Sequence, residues 1–224
     1  MMNKIAFLIP STSNNRYWAS YDQTYLYKSL DMLNKNYPNL HIYISYDSDD
    51  KLYSTEMEKI ISQYKKLKCK LIVNENIDKG DVVQHWNRLL EIACDDGIEY
   101  FYLIGDDIQY PDNNEWLINM INKLKENNNI GFSAGDSGNP KLPMTQFLIH
   151  RTHYDIFGFA FNPMIKNWFC DNYMNELYPK RYINYFEDIK LLNTGGEPRY
   201  QPIDHSKLYK ALLRRDRPKL KPYI

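Results

Sequence analysis

The chain has 224 residues, with 28 lysines and arginines balanced by 28 aspartates and glutamates. This length suits one domain with a sizeable core, and the neutral balance gives no overall field for binding nucleic acid or a membrane surface. The cysteines, Cys69, Cys94 and Cys170, are odd in number and far apart, which favours reduced thiols. The first ten residues lack the layout of a signal peptide or a spanning helix. We therefore predict a soluble, cytoplasmic, single-domain protein.

Apolar runs of strand length alternate with segments of helical period. The strand-like runs cover residues 4–9, 41–46, 70–74, 99–104, 130–134 and 146–149. Helical periods lie near residues 26–33, over 82–93 and from Asp112 to 124. A further helical segment opens with a capping pair at Thr55 and Glu58 and extends to residue 67. This alternation predicts an α/β domain in which helices cover a mostly parallel sheet. Residues 180–199 are too irregular for a prediction of elements.

The most informative motif is Gly105-Asp106-Asp107, which directly follows an apolar strand. Adjacent carboxylates near a buried sheet repel each other and lose hydration, so such a pair is usually tolerated where a cation or solvent compensates it. Oxygen ligands of this kind suit Mn²⁺ or Mg²⁺. The pair therefore predicts a metal site, and the alternative is a solvated turn that ends the strand.

Polar clusters also follow the first two strands. Pro10, Ser11 and Thr12 open a segment that ends at Arg16, and Asp47 follows Tyr46. In open α/β sheets, ligands bind beyond the carboxyl ends of the strands. The hydroxyls, amides and guanidinium of the first cluster suit a nucleotide, and Asp47 suits a ribose hydroxyl or a base N–H. A plain polar loop and a helix cap are the alternatives.

The order of these motifs resembles that of glycosyltransferases of the GT-A fold. The resemblance rests on a strand followed by Pro-Ser-Thr, a strand followed by Tyr-Asp, Lys79-Gly80 before a helix carrying Asn87, and a strand followed by Asp-Asp. It implies one GT-A domain over residues 1–224, with a nucleotide-binding half at about 1–110, an acceptor half at about 111–204 and a basic tail at 205–224. In the family, two aspartates around one residue bind the metal. Here Ile104 stands at the first of the matching positions, which leaves Asp106 and Asp107.

The resemblance implies metal-assisted transfer of a sugar from a nucleotide diphosphate donor, uridine-linked, to a glycan or glycoprotein, with no nucleic-acid partner. A cation would stabilise the leaving diphosphate. The implied nucleotide-binding residues are Pro10, Ser11, Thr12, Arg16, Asp47, Lys79, Asn87 and Asp106. The implied ligands of Mn²⁺ or Mg²⁺ are Asp106, Asp107 and His205. Small enzymes of this kind also occur in large DNA viruses, so a viral origin, in host cytoplasm or virion, is part of the expectation.

A catalytic base is expected in the second half. Residues 157–159 (Phe-Gly-Phe) and 168–172 (Trp-Phe-Cys-Asp-Asn) resemble the turn and acidic helix start that line the acceptor site in inverting members. They make Asp171 the candidate base, with Glu187 and Asp188 as runners-up. Asp171 also suits the N-cap of the following helix. The basic tail suits a solvated helix face or loose end, a cover for the diphosphate, or contact with an anionic acceptor or membrane.

Other functions compete with this one. Gly-Asp-Asp between apolar strands also marks the palm of RNA-dependent RNA polymerases, but the chain lacks the length and positive charge for a template channel. A nucleotidyltransferase would need a glycine-rich phosphate loop, and residues 11–16 contain no glycine. A non-catalytic carbohydrate-binding module or degenerate glycosyltransferase is the main alternative.

Overall fold

A computed structural model describes residues 2–139 and 142–224. Its main sheet has seven strands in the order β3-β2-β1-β4-β7-β6-β8, and a small sheet pairs β5 with β9. The strands are β1 (Ile5–Pro10), β2 (His41–Asp47), β3 (Lys68–Asn74), β4 (Tyr100–Leu103), β5 (Ile108–Gln109), β6 (Phe132–Asp136), β7 (Phe147–His150), β8 (Ile183–Lys190) and β9 (Leu192–Asn193).

The main sheet is mostly parallel, as the sequence predicts. Strands β1 to β4 pair in parallel, β6 pairs in parallel with β8, and only β7 is antiparallel to its neighbours among the described strands of this sheet. All six predicted strands are present. Strand β8 lies where the sequence predicted no element. It is an edge strand that buries only Asn184 and Ile189, so its apolar pattern is weak.

Helices cover both faces of the main sheet. They are α1 (Tyr25–Asn36), α2 (Lys51–Ile61), α3 (Val82–Asp95), α4 (Glu115–Glu126), α5 (Arg151–Phe157), α6 (Cys170–Leu177) and α7 (Ser206–Asp216). Two predicted helix starts are wrong. Helix α2 begins one turn before Thr55, because the Asp50 carboxylate accepts the backbone N–H of Tyr53 and caps the helix there. Helix α4 begins at Glu115 rather than at Asp112.

Alternate residues of β1 enter two cores on opposite faces of the sheet. Ile5, Phe7 and Ile9 pack with α1, α2 and α4, whereas Ala6 and Leu8 face α3, α6 and α7. The basic tail is a packed amphipathic helix for most of its length, because α7 buries apolar side chains and keeps its lysines and arginines exposed. None of the helices in the described parts of the chain is long and apolar enough to cross a bilayer.

The parallel strands bring their carboxyl ends to one edge of the sheet. Pro10 at the end of β1 pairs in register with Ser45 of β2, and Leu8 pairs with Leu103 of β4. After β9, residues 194–201 run back across this edge, and we call them the return segment. The Thr194 N–H donates to the Asp107 carbonyl at 2.9 Å, and the Asn14 amide donates to the Arg199 carbonyl at 2.6 Å. The return segment therefore closes over the strand ends.

Candidate functional site

Two adjoining cavities lie beyond the carboxyl ends of β1, β2 and β4. The main cavity, of about 520 Å³, is lined by Trp86, Asp106, Asp107, Trp168 and Asp171, among others. The side cavity, of about 160 Å³, is lined by Ser11, Thr12, Asp47 and His85, among others. Pro10, Gly80, Val82, Arg199 and Tyr200 line both. The structure thus brings together seven of the sequence-predicted residues: Pro10, Ser11, Thr12, Asp47, Asp106, Asp107 and Asp171.

Asp106 is buried, with 2 % of its surface exposed, and its carboxylate is fully engaged. The Arg199 guanidinium donates to both of its oxygens, with Nη1 at 2.8 Å from Oδ2, and the Ser11 hydroxyl donates to Oδ2 at 2.5 Å. Burial acts to lower the pKa of Arg199, but the charge and hydrogen bonds of Asp106 outweigh it and raise that pKa above its usual value. This arginine therefore stays charged and fixed beside the carboxylate.

Asp107 is held more loosely. Its Oδ2 lies 3.8 Å from Nη2 of Arg199. Burial and the neighbouring charge of Asp106 raise the pKa of Asp107 to about 6, against the lowering effect of Arg199. Its carboxylate occupies space that only glycines leave open, because a Cβ at Gly195 would lie 1.7 Å from Oδ2 and one at Gly105 would lie 2.6 Å from Oδ1. Arg199 of the return segment thus compensates the negative charge of the Asp106-Asp107 pair.

The side-chain atoms available as metal ligands at this site do not fit a resident divalent ion. Both oxygens of Asp106 already accept hydrogen bonds from Arg199, and Ile104 is buried where the GT-A motif would have its first aspartate. Within residues 2–139 and 142–224, no group of three or more His, Cys, Asp or Glu side chains is placed to hold a metal. His205 does not line the main cavity; its Nε2 accepts the Lys166 N–H at 3.3 Å. Binding of Mn²⁺ or Mg²⁺ stays a prediction.

A buried histidine orients Asp47. Nε2 of His85 lies 3.1 Å from Oδ1 of Asp47, and Nδ1 lies 3.0 Å from both the Ser45 hydroxyl and the Asn74 amide nitrogen. Because that amide nitrogen can only donate, the network places the histidine proton on Nε2, facing Asp47. Oδ2 of Asp47 is left near the Tyr200 hydroxyl, at 3.4 Å. Asp47 thus presents a fixed acceptor to the side cavity.

Asp171 differs from these carboxylates because it has almost no partners. It is the second residue of α6, whose N-cap is Phe169, so the N-cap alternative for Asp171 is wrong. Its side chain accepts only a weak S–H contact from Cys170, at 3.8 Å, among the hydrogen bonds of the described residues. Burial raises its pKa to about 7. A half-buried carboxyl with no ion-pair partner among the described residues therefore lines the main cavity.

The other predicted site residues lie outside both cavities. Arg16 donates to the carbonyls of residues 195 and 197 and so fastens the return segment. Lys79 pairs with the exposed Asp49 at 2.7 Å. The Asn87 amide bonds to the backbone of residues 160 and 161, which ties α3 to that loop. Glu187 and Asp188 are exposed on β8.

Sequence reasoning missed three residues of the site. Arg199 and Tyr200 lie in a segment without periodicity, and no local signal marks them. His85 left a signal, since it is a polar residue among Val83, Leu89 and other buried positions of α3. A buried polar group needs a partner, and Asp47 at the end of β2 is that partner.

Compared by sequence, the chain matches no protein-family model and no curated protein. Compared by structure, it matches a mannosyltransferase, PcManGT from Pyrobaculum calidifontis, solved with GDP-Man and Mn²⁺ (TM-score 0.62, 14 % identity, 98 % of this chain and 67 % of that one). It also matches GalNAc-T7, solved with UDP, GalNAc and Mn²⁺ (TM-score 0.61, 10 % identity, 97 % of this chain). This chain spans 48 % of the length of that protein.

A third match is a cytidylyltransferase from Leptospira borgpetersenii, with a TM-score of 0.54, 16 % identity, and coverage of 94 % of this chain and 85 % of that one. At such low identity, these likenesses establish the fold and leave the activity to be argued from the site. The mostly parallel seven-stranded sheet and these neighbours together show that the chain has a GT-A fold.

Proposed function

We propose that this protein is a glycosyltransferase that moves a sugar from a nucleotide diphosphate donor to a hydroxyl of a glycan or glycoprotein. One observation carries the proposal: on a GT-A fold, a single cavity joins the Asp106-Asp107 pair at the end of β4 to the unpaired carboxyl of Asp171. Its volume of about 520 Å³ lies in the range of small-molecule sites. This arrangement supports a donor bound beside the Asp106-Asp107 pair with Asp171 as the base.

The side cavity suits the nucleoside of the donor. The fixed Asp47 carboxylate can only accept hydrogen bonds when ionised, so it suits an N–H of the base, such as the ring N–H of uracil, or a ribose hydroxyl. The small volume, about 160 Å³, favours the single ring of uracil over a purine. We therefore propose a uridine-linked donor.

The proposed reaction is a displacement at the anomeric carbon. Asp171 removes the proton of the acceptor hydroxyl while that oxygen attacks the anomeric carbon. The bond from this carbon to the diphosphate oxygen breaks, and the diphosphate leaves with the electron pair. A base whose pKa is about 7 is suited to this step near neutral pH. Trp168, with 53 % of its surface exposed in the same cavity wall, offers an aromatic face for a sugar ring.

A second candidate function is glycan binding without transfer. The observation that favours it is the saturation of Asp106 by Arg199, which leaves no free carboxylate pair for a catalytic ion. A binding module of this kind would retain glycan affinity without consuming any donor.

The test is to incubate the protein with UDP-, GDP-, CMP- and TDP-sugars and a glycan mixture, in Mn²⁺ and separately in EDTA, and to measure nucleotide release and acceptor mass. We expect release from a UDP-sugar, with a matching mass increase in an acceptor. The matched control is Asp171→Asn, which should bind the same donor and release almost no nucleotide. Glycan binding without nucleotide release from any donor would favour the second candidate.

A further inference from the structure

We propose that Arg199 provides the cationic charge that binds the donor's diphosphate, so that donor binding and transfer need no divalent metal. This inference rests on the proposed function, since it assigns the diphosphate subsite of the same donor. It replaces the metal expected from the carboxylate pair with a residue of the chain itself.

The position of Arg199 is the first support. It lines both cavities, and it is the only lysine or arginine among the described residues that lines either of them. A donor with its nucleoside in the side cavity and its sugar in the main cavity would carry its diphosphate across the junction, next to Arg199. A diphosphate has no other cation lining these cavities in the described parts of the chain.

The second support is the way the guanidinium is held. Its side chain is 14 % exposed, and its Cζ lies 5.7 Å from the ring centre of Tyr25 and 5.9 Å from that of Trp18. Asp106 and the two aromatic rings therefore fix its plane before any ligand arrives. A guanidinium matches pairs of phosphate oxygens. A hydrogen-bond donor that is already held in place stabilises the charge that develops in the transition state without having to reorganise.

The third support is the state of the carboxylates. A metal bound to Asp106 would lie beside the Arg199 guanidinium, which donates to both carboxylate oxygens, and the two cations would repel each other. Withdrawal of Arg199 would relieve this repulsion but would leave a buried arginine without its partner. Asp107, the other carboxylate, lies against Gly195 of the return segment. Its Oδ2 lies 3.8 Å from Nη2 of Arg199, so it also attracts that guanidinium.

When the bond to the anomeric carbon breaks, the electron pair stays on the phosphate oxygen and Arg199 donates a hydrogen bond to it, with no proton transferred.

The experiment is calorimetric titration of UDP and GDP, with uridine and guanosine as matched nucleosides, in EDTA and in Mn²⁺. We expect the favoured diphosphate to bind about 10 to 100 times more tightly than its nucleoside in EDTA, because a charge-assisted bidentate contact is involved. Mn²⁺ should change that affinity less than about threefold. Arg199→Ala should lower diphosphate affinity to that of the nucleoside, whereas Arg181→Ala, an exposed arginine elsewhere on the surface, should leave it unchanged.

Arg199→Ala leaves Asp106 buried without its cation and is expected to be less stable. The double variant Arg199→Ala, Asp106→Asn removes both charges, so we expect it to fold, as its unfolding curve would show, and to have the same loss of diphosphate affinity. Diphosphate binding that requires Mn²⁺, or wild-type affinity in the double variant, would overturn this inference and leave the proposed function standing. Failure of every nucleoside and diphosphate to bind in both buffers would overturn the two together.

Discussion

Asp106 and Asp171 lie in the walls of one cavity, yet their surroundings are opposite. Among the hydrogen bonds of the described residues, Asp106 accepts from a guanidinium and a hydroxyl, whereas the Asp171 carboxylate accepts only from a thiol. A carboxylate that is already paired with a cation serves to position that cation, and a half-buried carboxylate with a raised pKa is ready to accept a proton. The residue identity is the same in both places, so the partners determine the role.

The largest expected effect is on transfer in Asp171→Asn. Removing the base should lower the transfer rate by about 1000-fold, within the range for general acid–base groups, and should leave donor affinity unchanged. Steady-state kinetics and donor titration on the same preparation check this. Wild-type turnover would exclude Asp171 as the base and would point to a retaining mechanism, since the runners-up Glu187 and Asp188 are exposed on β8, outside both cavities.

The same variant should be more stable than the wild type. Burial raises the pKa of Asp171 in the folded state to about 7. Near neutral pH, ionised Asp171 is therefore less favourable in the folded state than in the unfolded state, whereas an amide does not ionise. We expect the free energy of unfolding at pH 7.5 to rise by about 1 to 2 kcal/mol, after allowance for solvent screening. Urea denaturation measures it. A loss of stability would instead indicate a structural carboxylate.

Asp106→Asn should have the opposite effect on stability and a smaller one on transfer. The change leaves the buried Arg199 without its counter-charge, so we expect a loss of about 3 kcal/mol in the free energy of unfolding. Transfer should fall about 100-fold because the guanidinium is no longer held in place.

Affinity for UDP in EDTA separates two roles of Asp106. If Asp106 positions an arginine, UDP binding in Asp106→Asn should stay within about threefold of the wild-type value, since the removed charge also repelled the diphosphate. If it binds a metal, UDP affinity in Mn²⁺ should fall together with transfer.

The pH dependence should report Asp171. A base must be deprotonated to act, so transfer should rise about tenfold per pH unit below pH 7 and level off above it. Stability should change in the other direction, because the folded state holds a proton that the unfolded chain releases: the free energy of unfolding should fall as pH rises from about 4 to about 7. Asp171→Asn should remove this contribution from the unfolding curve.

Much of the fold could be predicted from the sequence, because strand runs and polar strand ends are local patterns. The six strands and the placing of Asp47 and Asp106 at one edge follow from that locality. Strand β8 could not be predicted, since an edge strand with exposed Tyr185, Glu187 and Asp188 carries little apolar signal.

Only part of the site could be predicted, because contacts between distant parts of the chain leave no local pattern. Asp106 and Arg199 are 93 residues apart, and no pattern near Arg199 marks it as the partner of a buried carboxylate. The pair of aspartates predicted a divalent ion, and the structure places Arg199 beside Asp106; the sequence alone cannot indicate an arginine that a distant segment brings to the pair. The contact is a property of the tertiary structure.

The smallest expected effect belongs to His85, which acts through Asp47. In His85→Ala, Asp47 loses the hydrogen-bond donor that fixes it, so the carboxylate can rotate and water can enter the side cavity. We expect the KM for the nucleotide sugar to rise about five- to tenfold with kcat nearly unchanged, the pattern of lost uniform binding. His85→Gln keeps a side-chain donor and should recover part of the affinity. A fall in kcat with unchanged KM would mean that Asp47 acts on the reacting atoms rather than on the nucleoside.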